Sequence, residues 1–234
     1  MYKRALLKLS GEQLRGNYDG GFDAELAKWI AGQVKQAVEG GTQIVIMVGG
    51  GNYARGAQLA GHGITRVTAD NIGMIATLMN ALALSDIFND QGVDTRAVST
   101  VKADQVVDQF THRRVLSHLQ KHRVVIVAGG LARPYLTTDT GAVSLALEMG
   151  CDVILKATKV DGVYDSDPAQ NPTAQKFEQL TYQQSLEDNK IKVLDKAALG
   201  LAMEQGQKLI VFDLLTDGNV AKACRGESIG TTIS

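Results

Sequence analysis

Apolar positions along the chain fall into two alternating rhythms. Short runs rich in Leu, Ile and Val read as strands: Tyr2 to Leu9, Thr42 to Val48, Thr95 to Ser99, Arg123 to Ala128, Asp152 to Leu155 and Lys208 to Phe212. Between them, apolar residues recur three and four positions apart, as in Phe22, Leu26, Trp29, Ile30 and Val34, and this spacing predicts helices. From Thr68 to Asp90 the residues Ile72, Ile75, Ala76, Met79, Leu82 and Ala83 share one stripe, which predicts a long, largely buried helix. Further helices are predicted near Thr111 to Gln120, Thr138 to Met149, Asp195 to Glu204 and Asn219 to Arg225, and the turn-rich stretch Asp161 to Pro172 predicts an irregular loop. The almost wholly apolar Thr42 to Val48 is what a strand covered on both faces requires. Repeated strand–helix alternation needs crossover connections, so the expected class is α/β, a mainly parallel sheet with helices on both faces. No low-complexity linker divides residues 1–234, which read as a single domain. Ligands of such sheets bind beyond the carboxyl ends of the strands, so chemistry is sought there.

Composition narrows the function. A formal net charge of -1 argues against a surface that coats a polyanion, so nucleic acid is not an expected partner, while a small basic pocket for phosphates remains open. Lys8 interrupts the N-terminal apolar run before a signal-peptide core forms, and TQIVIMV is halted by glycines. No stretch reads as a membrane span, and the cytoplasm is the expected location. Cys151 and Cys224 lie far apart without CxxC spacing, which predicts buried free thiols rather than a disulfide or a zinc site.

Three glycine-containing segments follow strands: Lys8-Leu9-Ser10-Gly11, Gly49-Gly50-Gly51-Asn52, and Gly129-Gly130 leading to Thr137-Thr138-Asp139. Glycine lets backbone N–H groups approach phosphate oxygens, and a following helix N-terminus adds favourable partial charge. Neither GxxxxGK[ST] nor GxGxxG is present, so P-loop and Rossmann readings lose support. Lys8 breaks an otherwise buried strand near its carboxyl end, where its ammonium could offset charge on a transferring phosphoryl group; the plain alternative is a solvated edge lysine. Arg55 could clamp a phosphate or simply be solvated. Asp139 could cap a helix, or hold Mg²⁺ directly or through water. Asp161, Asp165 and Asp167 fail the EF-hand spacing and read as turn residues, and His118 and His122, without an intervening HExxH carboxylate, read as a polar helix face.

Taken together, YKRALLKLSGE, VGGGNYARG, MIATLMNALAL, TTDT, LKATKVDGVYDSDP and LTYQQSL resemble the bacterial-type uridylate kinases of the amino acid kinase superfamily over essentially the whole chain. The resemblance implies a three-layer αβα sandwich and transfer of the ATP γ-phosphoryl group to UMP. It also implies Mg²⁺ with ATP, self-association as a homohexamer, and GTP or UTP as effectors. Acceptor binding and oligomer contacts would fall mainly to the N-terminal part, ATP binding mainly to the C-terminal part. Residue by residue, Lys8, Leu9, Ser10 and Gly11 would bind ATP phosphates, with Lys8 the main electrostatic catalyst. Gly51 and Arg55 would lie near the transferring phosphate, and Thr158, Tyr164 and Asp167 would hold the ATP nucleoside. Gly50 would meet UMP, Asp70 would accept from its ribose, and Leu131, Ala132, Arg133, Pro134, Tyr135, Leu136, Thr137 and Thr138 would form the acceptor loop. Asp139 would organise the magnesium and the lysines, and Asp195 matches a further acidic position. Where the family has a GTGNPFFTTD-like run, this chain reads Gly130-Leu131-Ala132-Arg133-Pro134-Tyr135-Leu136-Thr137-Thr138-Asp139, a departure that bears on acceptor preference. A carboxylate or carbamate kinase of the same fold and a non-catalytic nucleotide-binding protein are the rival readings.

Overall fold

A computed structural model describes residues 1–54, 56–60, 63–188, 191 and 193–234. In chain order the elements are β1 (Arg4–Leu9), α1 (Gly11–Leu14), α2 (Ala24–Glu39), β2 (Gln43–Val48), α3 (Gly56–Leu59), α4 (Arg66–Asp90), β3 (Thr95–Ser99) and β4 (Asp108–Gln109). There follow α5 (His112–Gln120), β5 (Val124–Ala128), α6 (Thr138–Met149), β6 (Val153–Thr158), β7 (Val163–Tyr164) and β8 (Lys176–Phe177). The last are β9 (Gln179–Leu180), α7 (Tyr182–Glu187), α8 (Lys196–Glu204), β10 (Leu209–Asp213), α9 (Asn219–Arg225) and β11 (Thr231–Ile233).

Among the described residues the central sheet runs β4-β3-β5-β2-β1-β6-β10-β11-β9. Its neighbours are parallel except β10 and β11, which pair antiparallel. Because successive side chains point to opposite faces, each strand feeds two cores. Leu7, Leu9, Ile46, Val48, Ile126 and Phe212 pack with α2, α4 and α9. Leu6, Met47, Val125, Val127 and Ile154 pack with α5, α6 and α8. The mainly parallel sheet with helices on both sides is therefore present.

Several expectations change in detail. β6 continues to Thr158, three residues beyond Leu155. β4, β7, β8, β9 and β11 were absent from the periodicity, as were α1 and α7, each too short to carry a period of its own. The larger correction concerns α4. Its core face is Thr77, Leu78, Ala81, Leu84 and Phe88, while Ile75 and Met79 of the expected stripe are 54% and 46% exposed. At 25 residues, α4 is also long and apolar enough by composition to cross a membrane, contrary to the sequence reading, yet here it packs against β3, β5 and α2. Cys151 and Cys224 are buried and free, and burial pushes both thiols up to about 12.

A polar pair fastens α4 to the turn after β2. Asn52 and Asn80, both buried, each donate a side-chain N–H to the other's Oδ1 at 2.9 and 2.7 Å, and Asn80 also donates to the Gly49 carbonyl at 2.7 Å. Truncating one member strands the others without water. Asn80→Ala should cost about 2 kcal/mol or more; urea unfolding measures it, and a loss below about 0.5 kcal/mol would show the pair is not a fastening.

Candidate active site

At the centre of the sheet β1 runs between β2 and β6, and the β1–β6 register places Lys8 opposite Lys156. Register partners on parallel strands project to the same face, so two ammonium groups emerge side by side beneath α6. Lys8 is only 6% exposed, which excludes a solvated edge lysine. The charge between the lysines comes from the first turn of α6. Asp139 Oδ1 lies 2.6 Å from Lys8 Nζ, and Asp139 Oδ2 accepts from Lys156 Nζ at 3.0 Å. The Lys8 approach lies off the hydrogen-bond direction, leaving Oδ1 a buried oxygen with no aligned donor.

The capping alternative for Asp139 is settled by its neighbour. Thr137 is the N-cap of α6 and its hydroxyl accepts from the Asp139 N–H at 3.0 Å, so the Asp139 carboxylate is released for the lysines. Burial alone would raise the Asp139 pKa, but Lys8 and Lys156 outweigh it and hold the carboxyl at about 2. Burial pulls Lys156 below the usual lysine range, with Asp139 opposing. Lys156 also donates to the Val193 carbonyl. Asp195 caps α8, accepting from the Ala198 N–H at 2.9 Å, and accepts from the hydroxyls of Thr137 and Thr140. It thus ties the start of α8 to the start of α6, one residue pair away from Asp139.

The glycine segments converge as expected, but their small size serves the protein's own backbone first. A Cβ on Gly11 would fall 2.4 Å from the Gly51 nitrogen, one on Gly49 2.9 Å from the Gly11 nitrogen, and one on Gly50 2.7 Å from the Gly73 carbonyl oxygen. These three glycines let the turns after β1 and β2 and the helix α4 touch directly. The Ser10 N–H donates to Gln13 Oε1 at 2.9 Å, the Leu9 side chain lies in the core, and the Leu9 carbonyl accepts from the Gly49 N–H at 2.9 Å.

Two clefts adjoin the Lys8–Asp139–Lys156 trio. The first, about 390 Å³, is lined by Gly50, Gly51, Arg66, Asp70, Gly130, Leu131, Arg133, Leu136, Thr137 and Thr138, among others. Ala132, Pro134 and Tyr135 belong to the same loop without lining this cleft. The second, about 320 Å³, is lined by Lys156, Thr158, Tyr164, Asp167, Val193 and their neighbours. Here Thr158 donates to the Val160 and Phe212 carbonyls, Tyr164 donates to Asp161 at 2.5 Å, and Asp167 accepts from the Ala169 N–H. The β7–β8 hairpin beside this cleft is secured by Thr231 of β11, whose hydroxyl accepts from the Val163 N–H at 2.8 Å and donates to the Phe177 carbonyl. Arg55 lies outside the described residues. Of the His118 and His122 pair expected on one helix face, His118 lies in the last turn of α5, while His122 lies beyond its end with φ at +56°.

Lys156 and Arg66 were missed from the sequence. Lys156 meets the criterion that selected Lys8, a charge near the carboxyl end of a buried strand, but the strand had been ended one residue before it. The arrangement as a whole, an anion between two largely buried cations with a cleft to either side of the α6 N-terminus, suits transfer of a charged group between two anionic molecules.

The Asp139 pairing sets an acid dependence. Its folded pKa lies below the ordinary 3.8, so the stabilisation is present above about pH 4 and is lost as pH falls from there towards 2. Asp139→Asn should be less stable than the parent by about 2 kcal/mol near neutrality, with the gap closing as pH falls below about 4; urea unfolding at stepped pH tests this, and a gap independent of pH would refute it.

Residues 3–213 match the amino acid kinase family. The structure is similar to that of UMP kinase from Bacillus anthracis, with a TM-score of 0.94 and 36% identity over 100% of this chain and 96% of the other. It is also similar to UMP kinase from Ureaplasma parvum, with a TM-score of 0.91, 33% identity and coverage of 100% and 99%. Uridylate kinase from Archaeoglobus fulgidus matches with a TM-score of 0.75, 28% identity and coverage of 98% and 99%.

Proposed function

The chain belongs to the amino acid kinase family, and from that premise we propose that it is a phosphotransferase that moves the γ-phosphoryl group of ATP onto UMP. The observation that carries the reading is the Lys8–Asp139–Lys156 trio, beside one cleft lined by Thr138 and another lined by Lys156 itself. The cleft bearing Asp70 and the residue 131–138 loop takes UMP, with Gly50 near its phosphate and Asp70 at its ribose. The cleft bearing Thr158, Tyr164 and Asp167 takes the ATP nucleoside, and the turn Lys8 to Gly11, with Gly51, meets the polyphosphate. Arg55 joins the phosphate cluster in this reading. Residues 1–234 act as one domain, the N-terminal part serving mainly the acceptor and the C-terminal part mainly ATP.

The acceptor is a phosphate monoester whose second pKa is about 6, so near neutrality it is already a nucleophile and no general base is needed. An acceptor phosphate oxygen attacks the γ-phosphorus as the bond to the β-bridging oxygen breaks, and ADP leaves with that electron pair. Lys8 and Lys156 neutralise charge on the transferring group, and Asp139 keeps the two ammoniums from repelling each other out of position. Asp139 Oδ1, buried without an aligned donor, suits a contact to Mg²⁺ through water; direct ligation would displace Lys8. Magnesium carried by ATP supplies further charge neutralisation on the polyphosphate. Arg133, in the acceptor cleft with no carboxylate partner among the described residues, bears on the choice among acceptors.

Lys8→Met keeps the volume of the buried stem and should fold, while kcat falls by about hundredfold or more. ADP release with UMP, CMP and acetylglutamate as acceptors tests both substrate and residue: near-normal turnover of the variant removes Lys8 from the chemistry, and turnover of acetylglutamate alone overturns the acceptor. The exposed Ile75 and Met79 on α4 support self-association through that face; the homohexamer, the cytoplasmic location and GTP or UTP as effectors follow from the family resemblance alone. Ile75→Glu with Met79→Glu should shift sedimentation to a smaller species; an unchanged sedimentation coefficient places the interface elsewhere.

A further inference from the structure

The loop of residues 131–136 that borders the acceptor cleft has no strand or helix of its own, yet its backbone holds an unfavourable shape: φ is +54° at Ala132 and +68° at Tyr135. Left-handed conformations cost an L side chain about 1 kcal/mol or more, so something outside the loop must hold them. At Tyr135 the holder is visible. Asp70 Oδ2 accepts from the Tyr135 N–H at 2.8 Å, across 65 positions in sequence. Arg66, one turn earlier on α4, brings Nε within 2.8 Å of both Asp70 oxygens, and its guanidinium carbon lies 5.2 Å from the centroid of the Tyr135 ring. Arg66, Asp70 and Tyr135 therefore close a three-way contact, in which the same arginine binds the carboxylate and covers the ring of the residue whose backbone N–H that carboxylate receives.

We propose that this clamp sets the shape of the acceptor loop, making Arg66 and Tyr135 positioning residues that govern acceptor affinity through Asp70. The inference rests on the acceptor reading of the cleft. A carboxylate offers about four lone-pair sites; two donors reach this one, the Arg66 Nε–H shared between both oxygens and the Tyr135 N–H on Oδ2, so acceptor capacity is left over. That capacity suits a ribose hydroxyl, so a single side chain both shapes the loop and meets the acceptor. The ATP cleft shares none of these three residues.

Steady-state kinetics and amide exchange test the clamp together. Arg66→Met and Tyr135→Ala should each raise the UMP KM about tenfold, more than they lower kcat, with the ATP KM changed by less than about twofold. Tyr135→Phe keeps both the ring and the backbone N–H, and should raise the UMP KM by less than Tyr135→Ala does. The double variant Arg66→Met with Tyr135→Ala should be no worse than the more severe single change, because both act through one contact. In the parent the Tyr135 amide should exchange slowly, and at least about tenfold faster in Arg66→Met. Multiplicative KM effects in the double variant would mean that Arg66 touches the acceptor directly and would overturn the proposal, as would unchanged Tyr135 exchange. If the parent fails to phosphorylate UMP while Arg66→Met still loses Tyr135 protection, the functional reading falls and the clamp stands. If UMP turns over normally in every variant, the clamp falls alone.

Discussion

Two lysines cannot share a buried sheet position without an anion between them, and the position of that anion governs the geometry of everything around it. Lys8 and Lys156 are register partners on β1 and β6, so their spacing is set by the backbone ladder rather than by side-chain preference. Asp139 reaches them because Thr137 takes over the capping of α6, and Thr137 is in turn held by Asp195. Removing Lys8, Lys156 or Asp139 leaves a largely buried charge uncompensated, which is costlier than the net worth of the interaction itself. The trio is therefore a structural keystone for the sheet centre as well as a pair of cations aimed at anionic ligands.

The glycine-rich turns illustrate how packing and binding can use the same residue type. Gly11, Gly49 and Gly50 are required where two turns and α4 meet backbone to backbone. The same close approach leaves Gly50 and Gly51 lining the first cleft, so the packing constraint and the shape of that cleft have a common origin. The buried Asn52–Asn80 pair fixes the same junction from the helix side.

Much of this was legible in the sequence, for physical reasons that also explain what was not. The central strands are covered on both faces and read as apolar runs, and α6 and α9 carry clear caps or stops. α4 misled because it is apolar on most of its circumference: a stripe through Ile72, Ile75 and Met79 is as regular as the true inner stripe through Leu78, Ala81, Leu84 and Phe88, and spacing alone does not say which one faces the sheet. β4, β7, β8, β9 and β11, at two or three residues each, are defined by their partners rather than by local pattern. Lys8 was recognised because its strand was bounded correctly; Lys156 was overlooked because β6 was cut short. Asp195 was noticed as an acidic position, but its partners Thr137 and Thr140 lie 58 and 55 residues away, beyond the reach of local reading.

The hold of Thr231 on the β7–β8 hairpin has a consequence in time. The hydroxyl that receives the Val163 N–H belongs to a residue 68 positions downstream. During synthesis the sheet centre, with Lys8, Asp139 and Lys156, can emerge and pair well before β11 exists. The wall of the second cleft cannot be fastened until that strand has been translated, so a nascent chain assembles its charge trio early and its hairpin-lined cleft late.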